Sequence, residues 1–194
     1  ATIEPNTGII AVPDERLAVL QDMYSASKVI PAAVTFVDIA GLVAGASKGE
    51  GLGNKFLANI RECDAIVHVV RAFEDADVTH VSDVVNPKND IETINTELIL
   101  ADLQSIERQI PKLEREAKSN PSARASIEQL VIIKTALEQG TLISELSGLN
   151  TELIQELQLL SAKPTIYVFI VDEFTLGDVA KKASLSTLVS PAQR

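Results

Sequence analysis

Three short segments of the chain are almost continuously apolar and rich in Val, Ile and aromatic residues. They are residues 34–39, 65–73 and 164–171. Runs of this kind are typical of strands that are buried on both faces of a parallel sheet. An earlier run at residues 8–12 is weaker and ends at Pro13. The pattern therefore predicts a parallel β-sheet at the centre of the fold.

A helical pattern separates the first two of these segments. Residues 53–64 repeat apolar side chains at Phe56, Leu57 and Ile60, which is helical spacing. A strand, a Gly-rich loop, a helix and a second strand in this order form a βαβ unit. We therefore predict a parallel sheet in this part of the chain, with a short helix before it that begins at Pro13 or Asp14.

Residues 90–160 have a different character. Apolar residues recur at roughly every 3.5 positions with charged residues between them, which indicates amphipathic, coiled-coil-like helices. The rhythm stops at Asn120 and Pro121 and resumes over residues 127–137. This predicts an antiparallel helical hairpin. Pro111 lies inside the first helix and predicts a kink or a break there.

The pattern divides the chain into three parts. Residues 1–89 and 161–194 carry the strands, and residues 90–160 form a helical insertion between them. A further helix starts at Asn150 or Thr151 and leads back to the last strand. We therefore expect an α/β core interrupted by an α-helical arm.

The net charge of the chain limits the classes of partner that it is expected to bind. The net charge is -10 over 194 residues, which argues against broad binding to bare nucleic acid, sequence-specific DNA recognition or attachment to anionic membranes. One modest basic patch, "KLEREAK" at residues 112–118, leaves a local RNA contact open. Cys63 is the only cysteine, and no apolar run is long enough to span a bilayer. We expect a cytoplasmic protein.

Asp38 is the first candidate for chemistry. It ends a predicted strand and begins the motif D-x-x-G, completed by Gly41. In nucleotide hydrolases an Asp at this place holds Mg²⁺ through water, and the glycine amide meets the γ-phosphate. The alternative is a strand-end Asp that caps the next helix. The four-residue motif by itself favours that alternative, because such short motifs recur by chance.

Longer sequence segments favour the metal-binding interpretation of Asp38 over the capping interpretation. The segment "VDIAGLVAGASKGEGLGNKFLANIRE" closely resembles the switch II region of the YchF family of Obg-like ATPases, which are TRAFAC-class P-loop NTPases. The string "TIEPNTG" resembles their switch I, and "RAFEDADVTHV" and "NPKNDIETINTELILADL" continue the likeness in order. The resemblance implies a parallel-sheet P-loop NTPase-like core with an inserted helical arm. It also implies ATP hydrolysis with Mg²⁺ and association with ribosomes.

The resemblance implies roles for the residues expected near the metal ion and the γ-phosphate. It implies that Thr2 and Asp38 bind Mg²⁺ and that Gly41 contacts phosphate. Leu42 stands where many GTPases have the Gln that orients the attacking water, and leucine makes no such hydrogen bond. The resemblance implies that His80 is the catalytic side chain instead, with an exposed loop His as the open alternative. The other histidine, His68, lies in an apolar run and is expected in the core.

The nucleotide base is expected at the end of the last strand. The resemblance implies that Phe73, Ile170 and Val171 contact adenine. The family has the pattern N-x-x-E where this chain reads "IVDE", so Ile170 replaces the Asn. Isoleucine cannot hydrogen-bond the base, although it can pack against the ring. The resemblance implies ATP as the nucleotide, with GTP left open.

The phosphate-binding loop itself is the largest departure from the family. The chain contains no G-x-x-x-x-G-K-[ST] segment, so we expect an incomplete core that does not hold nucleotide tightly by itself. The family's C-terminal TGS domain has no counterpart in these residues either. Two alternatives to the switch ATPase follow. One is a nucleotide-incompetent truncated relative that acts as a protein-interaction module through its helical arm. The other is a structural helical-arm protein without a ligand.

Overall fold

The structure is a computed structural model that describes residues 6–39, 52–75 and 85–189. The chain divides into two compact units, Ala1–Gly41 and Leu42–Arg194. This division differs from the three parts predicted from the sequence pattern. The division into residues 1–89, 90–160 and 161–194 therefore remains a prediction.

The first unit is built on a two-stranded antiparallel ladder. Strand β1 (Asn6–Ala11) pairs with strand β2 (Ala33–Asp38), and helix α1 (Arg16–Tyr24) connects them. The register sets Asn6 opposite Asp38 at one end and Ala11 opposite Ala33 at the other. Helix α1 ends at Ser25, whose φ of 47° lies in the left-handed region. The ladder therefore brings the end of β2 beside the start of β1.

The second unit contains the parallel part of the fold. Strand β3 (Ile66–Arg71) pairs with strand β4 (Thr165–Ile170) in parallel, from Ile66 opposite Thr165 to Arg71 opposite Ile170. Parallel strands need a long crossover connection, and here it includes the helical arm. The helices of this unit are α2 (Leu52–Glu62), α3 (Pro87–Glu116), α4 (Pro121–Glu138), α5 (Thr151–Glu156), α6 (Glu173–Gly177) and α7 (Val179–Ser186).

The predicted α/β class with a parallel ladder is confirmed, while two details of the sheet differ from prediction. The ladder partner of β2 is β1, in antiparallel orientation. The strands β3 and β4 also alternate in burial instead of being buried on both faces. One face of their ladder leaves apolar side chains exposed, namely Val67, Val69, Ile166, Val168 and Ile170. Continuous apolar sequence does not reveal which face neighbouring elements cover.

The helical arm is formed by α3 and α4, as the apolar rhythm predicted. Their interface buries Ile106 and Leu113 of α3 against apolar residues of α4, among them Leu130, Ile133 and Leu137. The sequence predicted a kink or a break at Pro111; the break is wrong, because α3 runs without interruption from Pro87 to Glu116, and the kink remains a prediction. An interior proline costs about 3 kcal/mol. Packing against α4 on both sides of the exposed Pro111 outweighs that cost.

Asparagine side chains fix where three of the helices begin. Asn86 accepts a hydrogen bond from the amide of Asn89 at 3.1 Å, at the start of α3. Asn120 accepts one from Ser122 at 3.1 Å in α4, and Asn150 one from Glu152 at 3.0 Å in α5. Asparagine is a preferred residue at this position because it satisfies amides that have no partner in the helix. The predicted start of a helix at Asn150 or Thr151 is therefore confirmed, whereas α4 begins at Pro121, before the apolar stretch 127–137 that the sequence indicated.

Among the described residues, no helix is both long enough and apolar enough to cross a membrane.

Candidate nucleotide site

Asp38 lies at the end of β2, as the sequence predicted. It is the last residue of the strand, and its side chain is exposed. Its position in the ladder is opposite Asn6, the first residue of β1. An exposed carboxylate at a strand end supplies the hard oxygen ligand that Mg²⁺ prefers, with water completing the coordination shell. The residue therefore fits the metal role that the resemblance implied.

A depression opens at the carboxyl ends of β3 and β4. It has a volume of about 290 Å³, and its walls come from Ala72, Phe73, Glu74, Val85, Pro87, Asp172 and Leu185. In open α/β sheets, ligands bind at the carboxyl ends of the strands. The depression is therefore the best candidate in the second unit for binding part of a nucleotide.

Phe73 is held in the wall of this depression by the segment that follows β3. The Ala72 amide donates to the carbonyl of Ile170 at 2.8 Å, which ties this segment to the end of β4. The Arg71 guanidinium carbon lies 4.6 Å from the centre of the Phe73 ring, and Arg71 Nε donates to the Phe73 carbonyl at 3.1 Å. A cation over the ring face attracts the aromatic ring. These contacts position an apolar ring where a flat base can pack.

Asp172 is a wall residue that the sequence pattern did not indicate. It lies two residues after β4, and its carboxylate accepts a hydrogen bond from the Thr175 amide at 2.6 Å at the start of α6. This bond from Thr175 lowers the pKa of Asp172, and the charge of Lys181 acts in the same direction. Asp three residues before Thr is a readable helix-start signal, but it does not reveal that the carboxylate lines a depression.

Ile170 and Val171 do not line the depression. Ile170 ends β4 with its side chain on the exposed apolar face that also carries Val168. Val171 is half-buried. Of the three predicted adenine contacts, Phe73 alone lies in the depression wall. The role of Ile170 and Val171 in binding a base remains a prediction.

His68 lies in the middle of β3 and is half-buried, as expected for a core histidine. Its ring centre is 5.3 Å from that of Tyr167 on the neighbouring strand. Burial lowers the pKa of His68, and the negative charge of Asp90 partly opposes this effect. A neutral imidazole packed on a tyrosine is a structural residue, so the structure gives His68 no catalytic position.

Three of the predicted site residues, Thr2, Gly41 and His80, lie outside the described residues. Within the described ranges, no three His, Cys, Asp or Glu side chains gather into a metal-binding group. A second depression of about 330 Å³ lies between the start of α3 and the end of α7. It contains no strand end, so we favour the depression beside Phe73 as the ligand site.

Comparison with known proteins adds an independent observation. The sequence profile of the family described as "50S ribosome-binding GTPase" matches residues 1–103, which is more than half of the chain. The chain belongs to this family. The matched residues include Asp38 and Phe73, together with the three predicted site residues that lie outside the described ranges.

Individual relatives agree with the family match. The chain is 52% identical over 175 residues to the "Ribosome-binding ATPase YchF" of Haemophilus ducreyi, covering 89% of this chain and 48% of the relative. It is 48% identical over 180 residues to the protein of the same name from Bacillus subtilis. The solved structure of the Schizosaccharomyces pombe YchF GTPase superposes with a TM-score of 0.74 at 35% identity, over 98% of this chain and 54% of that one. The chain therefore spans about half the length of the relatives that it matches.

Proposed function

We propose that this chain is the nucleotide-responsive part of a switch ATPase of the YchF type, which hydrolyses ATP with Mg²⁺ in the cytoplasm and associates with ribosomes. The observation that carries the proposal is the 52% identity to a protein named as a ribosome-binding ATPase, extending over 89% of this chain. The exposed carboxylate of Asp38 and the depression beside Phe73 are consistent with it. Here residues 90–160 are the arm, and residues 1–89 and 161–194 belong to the nucleotide-binding core.

In this proposal Asp38 and Thr2 hold the metal ion, and Gly41 donates its amide to the γ-phosphate. When bound, Mg²⁺ neutralises charge on the phosphate oxygens during transfer to water. Asp38 is suited to its part because a carboxylate at a strand end is both exposed and fixed by the β1–β2 ladder. Loss of the γ-phosphate removes the partner of Gly41, and this is the event that the switch senses.

The catalytic side chain in this proposal is His80. Leu42 cannot hydrogen-bond to water, so another group must orient the water that attacks the γ-phosphorus. His80 orients this water by a hydrogen bond. The oxygen of the water bonds to phosphorus, the bond to the β-phosphate oxygen breaks, and a proton of the water passes to a phosphate oxygen, so that ADP and inorganic phosphate are formed.

The base is proposed to pack against Phe73, with Ile170 and Val171 as additional apolar contacts. The names of the relatives differ on the nucleotide, since the bacterial proteins are called ATPases and the fission yeast structure is called a GTPase. We propose ATP as the substrate. Isoleucine at position 170 offers no hydrogen bond to either base, so the preference must come from other groups.

Nucleotide binding by the full-length protein tests the proposal. Equilibrium dialysis with labelled ATP and GTP, with and without Mg²⁺, is expected to give tighter ATP binding that depends on the metal. Asp38→Ala is expected to weaken Mg²⁺-dependent binding and hydrolysis, whereas Asp64→Ala, which removes a carboxylate from the α2–β3 connection, serves as a control. A full-length protein that neither binds nor hydrolyses either nucleotide would contradict the proposal.

The same binding experiment is also carried out with the 194-residue chain alone. It has no G-x-x-x-x-G-K-[ST] segment, so we expect weak binding of ATP by this chain alone. Tight binding by the 194-residue chain would mean that these residues suffice for holding phosphate. The names of the relatives favour a switch ATPase over the alternative of a nucleotide-incompetent interaction module.

A further inference from the structure

The polar side chains in the wall of the depression beside Phe73 are both acidic. They belong to Glu74 and Asp172, whereas the remaining wall residues, Ala72, Phe73, Val85, Pro87 and Leu185, have apolar side chains. An ionised carboxylate accepts hydrogen bonds and cannot donate them. A ligand that satisfies these side chains must therefore present a hydrogen-bond donor next to an apolar surface.

Asp172 and Phe73 reach this wall from two neighbouring strands. Strands β3 and β4 end at Arg71 and Ile170, which lie opposite each other in the parallel ladder. Phe73 and Asp172 each follow their strand by two residues. The Ala72 amide donates to the Ile170 carbonyl at 2.8 Å, which continues the pairing beyond the strand ends. The ladder therefore brings an aromatic ring and a carboxylate to the same edge of the sheet.

Hydrogen bonds from Thr175 hold the Asp172 carboxylate in place. Asp172 Oδ1 accepts from the Thr175 amide at 2.6 Å, and Thr175 itself is buried. This bond, together with one from the Thr175 side chain, lowers the pKa of Asp172, so the group is ionised at neutral pH. A carboxylate has about four lone-pair sites. Because Asp172 is exposed, it can also accept a hydrogen bond from a ligand.

A purine with an amino group at position 6 matches this pair of groups. Proteins recognise an isolated base by packing apolar or aromatic side chains on its face and by hydrogen bonds to its edge. The 6-amino group is the N–H donor of adenine, whereas guanine has a carbonyl oxygen at the same position. A carboxylate that faces position 6 therefore attracts adenine and repels guanine.

We propose that Asp172 selects the base, because its carboxylate accepts a hydrogen bond from the 6-amino group of adenine while the ring packs on Phe73. The inference rests on the proposed function, in which ATP is the substrate. Asp172 supplies the hydrogen bond that Ile170 cannot make. A site that bonds to an N–H group of its substrate rejects an analogue without that group, because the acceptor of the protein then loses its partner.

The test removes the carboxylate from the protein and the amino group from the ligand, separately and together. Asp172→Ser removes the ionised acceptor but keeps a residue that can cap α6. Purine riboside 5′-triphosphate has a hydrogen atom in place of the 6-amino group of ATP. Equilibrium dialysis with Mg²⁺ measures the binding of both nucleotides to the full-length wild type and to the full-length variant.

Asp178→Ser is the matched control. Asp178 caps α7 in the same way, because its Oδ1 accepts from the amides of Ala180 and Lys181 at 2.9 and 3.1 Å. It is not one of the wall residues of the depression. The control therefore removes a capping carboxylate without removing the proposed contact to the base.

The wild type is expected to bind ATP about tenfold more tightly than the analogue, because the analogue lacks one hydrogen bond to a charged group. Asp172→Ser should bind ATP about as weakly as the analogue, and its affinity for the analogue should equal that of the wild type. Unchanged binding of the analogue would also show that the variant retains an intact site. Asp178→Ser should keep the difference between the two nucleotides.

Binding of GTP supplies a second readout. Asparagine is also a preferred capping residue, and its amide can donate to the 6-oxo oxygen of guanine. Asp172→Asn is therefore expected to bind GTP about tenfold more tightly than the wild type does. This variant also tests the proposal if Asp172→Ser does not fold, and circular dichroism checks the folding of each variant.

Four outcomes would overturn the inference. The first is wild-type affinity of Asp172→Ser for ATP, and the second is an equal loss of ATP and analogue binding in the folded variant. The third is a larger loss for GTP than for ATP, which would make Asp172 a guanine contact. The fourth is loss of the preference for ATP over the analogue in Glu74→Gln alone, which would assign the hydrogen bond to Glu74.

Hydrolysis of ATP is measured in parallel with binding. A wild-type protein that binds ATP without hydrolysing it would contradict the proposed function, while the binding comparison would still decide the role of Asp172. A wild-type protein that hydrolyses ATP but binds the analogue equally well would contradict the inference alone. A wild-type protein that binds neither nucleotide would contradict both.

Discussion

Asp102 of α3 is bonded to Ser161, a residue 59 positions later in the chain, by two hydrogen bonds. Its carboxylate accepts from the Ser161 amide at 2.8 Å and from the Ser161 hydroxyl at 2.7 Å. It also accepts from the Leu160 amide at 2.8 Å. Burial raises the pKa of Asp102, and these bonds together with the charge of Arg61 oppose that rise. This carboxylate joins the helical arm to the turn that precedes β4.

Asp102→Ala is expected to lower the free energy of unfolding by about 3 kcal/mol, because two buried amides and a hydroxyl lose their acceptor. Urea denaturation of the full-length protein, followed by circular dichroism, measures the loss. Hydrogen exchange of the amides of Leu160 and Ser161 should accelerate in the same variant. Glu114→Ala removes an exposed carboxylate from the same helix and should change stability by less than about 0.5 kcal/mol. Equal effects of the two substitutions would show that the buried bonds contribute little.

Arg61→Ala is expected to lower the free energy of unfolding by about 1–2 kcal/mol and to loosen the end of α2. The Arg61 guanidinium donates to Ser105 Oγ and to the Gln158 carbonyl, each at 3.2 Å, and therefore joins α2 to α3 and to the end of α5. Urea denaturation and hydrogen exchange over residues 56–62 measure the effect. The lysine of Arg61→Lys has fewer donors than arginine, all on a single nitrogen. This variant should therefore retain part of the stability that Arg61→Ala loses. Arg115→Ala, at an exposed arginine, is the control, and an equal loss there would contradict the assignment.

His68 is expected to make the protein less stable in acid. Because burial lowers its pKa in the folded protein below 6.5, the unfolded chain binds the proton more tightly. Its contribution to stability is therefore complete above pH 6.5 and is lost as the pH falls from there toward the folded-state pKa. His68→Phe, which keeps a ring against Tyr167, should reduce the drop in urea midpoint between pH 7 and pH 5. His80→Ala should leave the drop in urea midpoint unchanged. A smaller drop in His80→Ala would show that His80, and not His68, causes the sensitivity to acid.

His80→Ala is expected to lower the rate of ATP hydrolysis with little change in ATP affinity, because its proposed contact is to the attacking water and forms during the reaction. Single-turnover kinetics and equilibrium dialysis on the full-length protein separate the two quantities. His68→Phe is the matched histidine control and should leave both unchanged. Equal losses of affinity and rate in His80→Ala would make His80 a binding or folding residue.

Phe73→Ala is expected to weaken ATP binding about tenfold, because base–aromatic stacking contributes about 1–3 kcal/mol. Ile170→Asn restores the family's residue and is expected to tighten binding of adenine nucleotides. Equilibrium dialysis with ATP measures both. Unchanged binding in Ile170→Asn would indicate that backbone groups already recognise the base, and unchanged binding in Phe73→Ala would exclude the depression as its site.

Part of the candidate site could be predicted because its signals are local. Asp38 falls at a strand end, since an apolar run followed by an acid and a D-x-x-G motif is readable from neighbouring residues. The depression beside Phe73 was not predicted as such. Its walls join the end of β3, the start of α3 and the residues after β4. Asp172 enters this set only because the parallel ladder brings two distant strand ends together.

The sequence by itself determined the elements that depend on neighbouring residues. Apolar periodicity specified the arm helices, and Asn120 and Asn150 fixed where two helices begin, because a cap bonds to amides only two or three residues away. The tertiary structure decided the continuity of α3 through Pro111, the pairing of β2 with β1 and the bond between Asp102 and Ser161. In each case the deciding partner is distant in sequence, so its packing or hydrogen-bonding energy is absent from any local pattern.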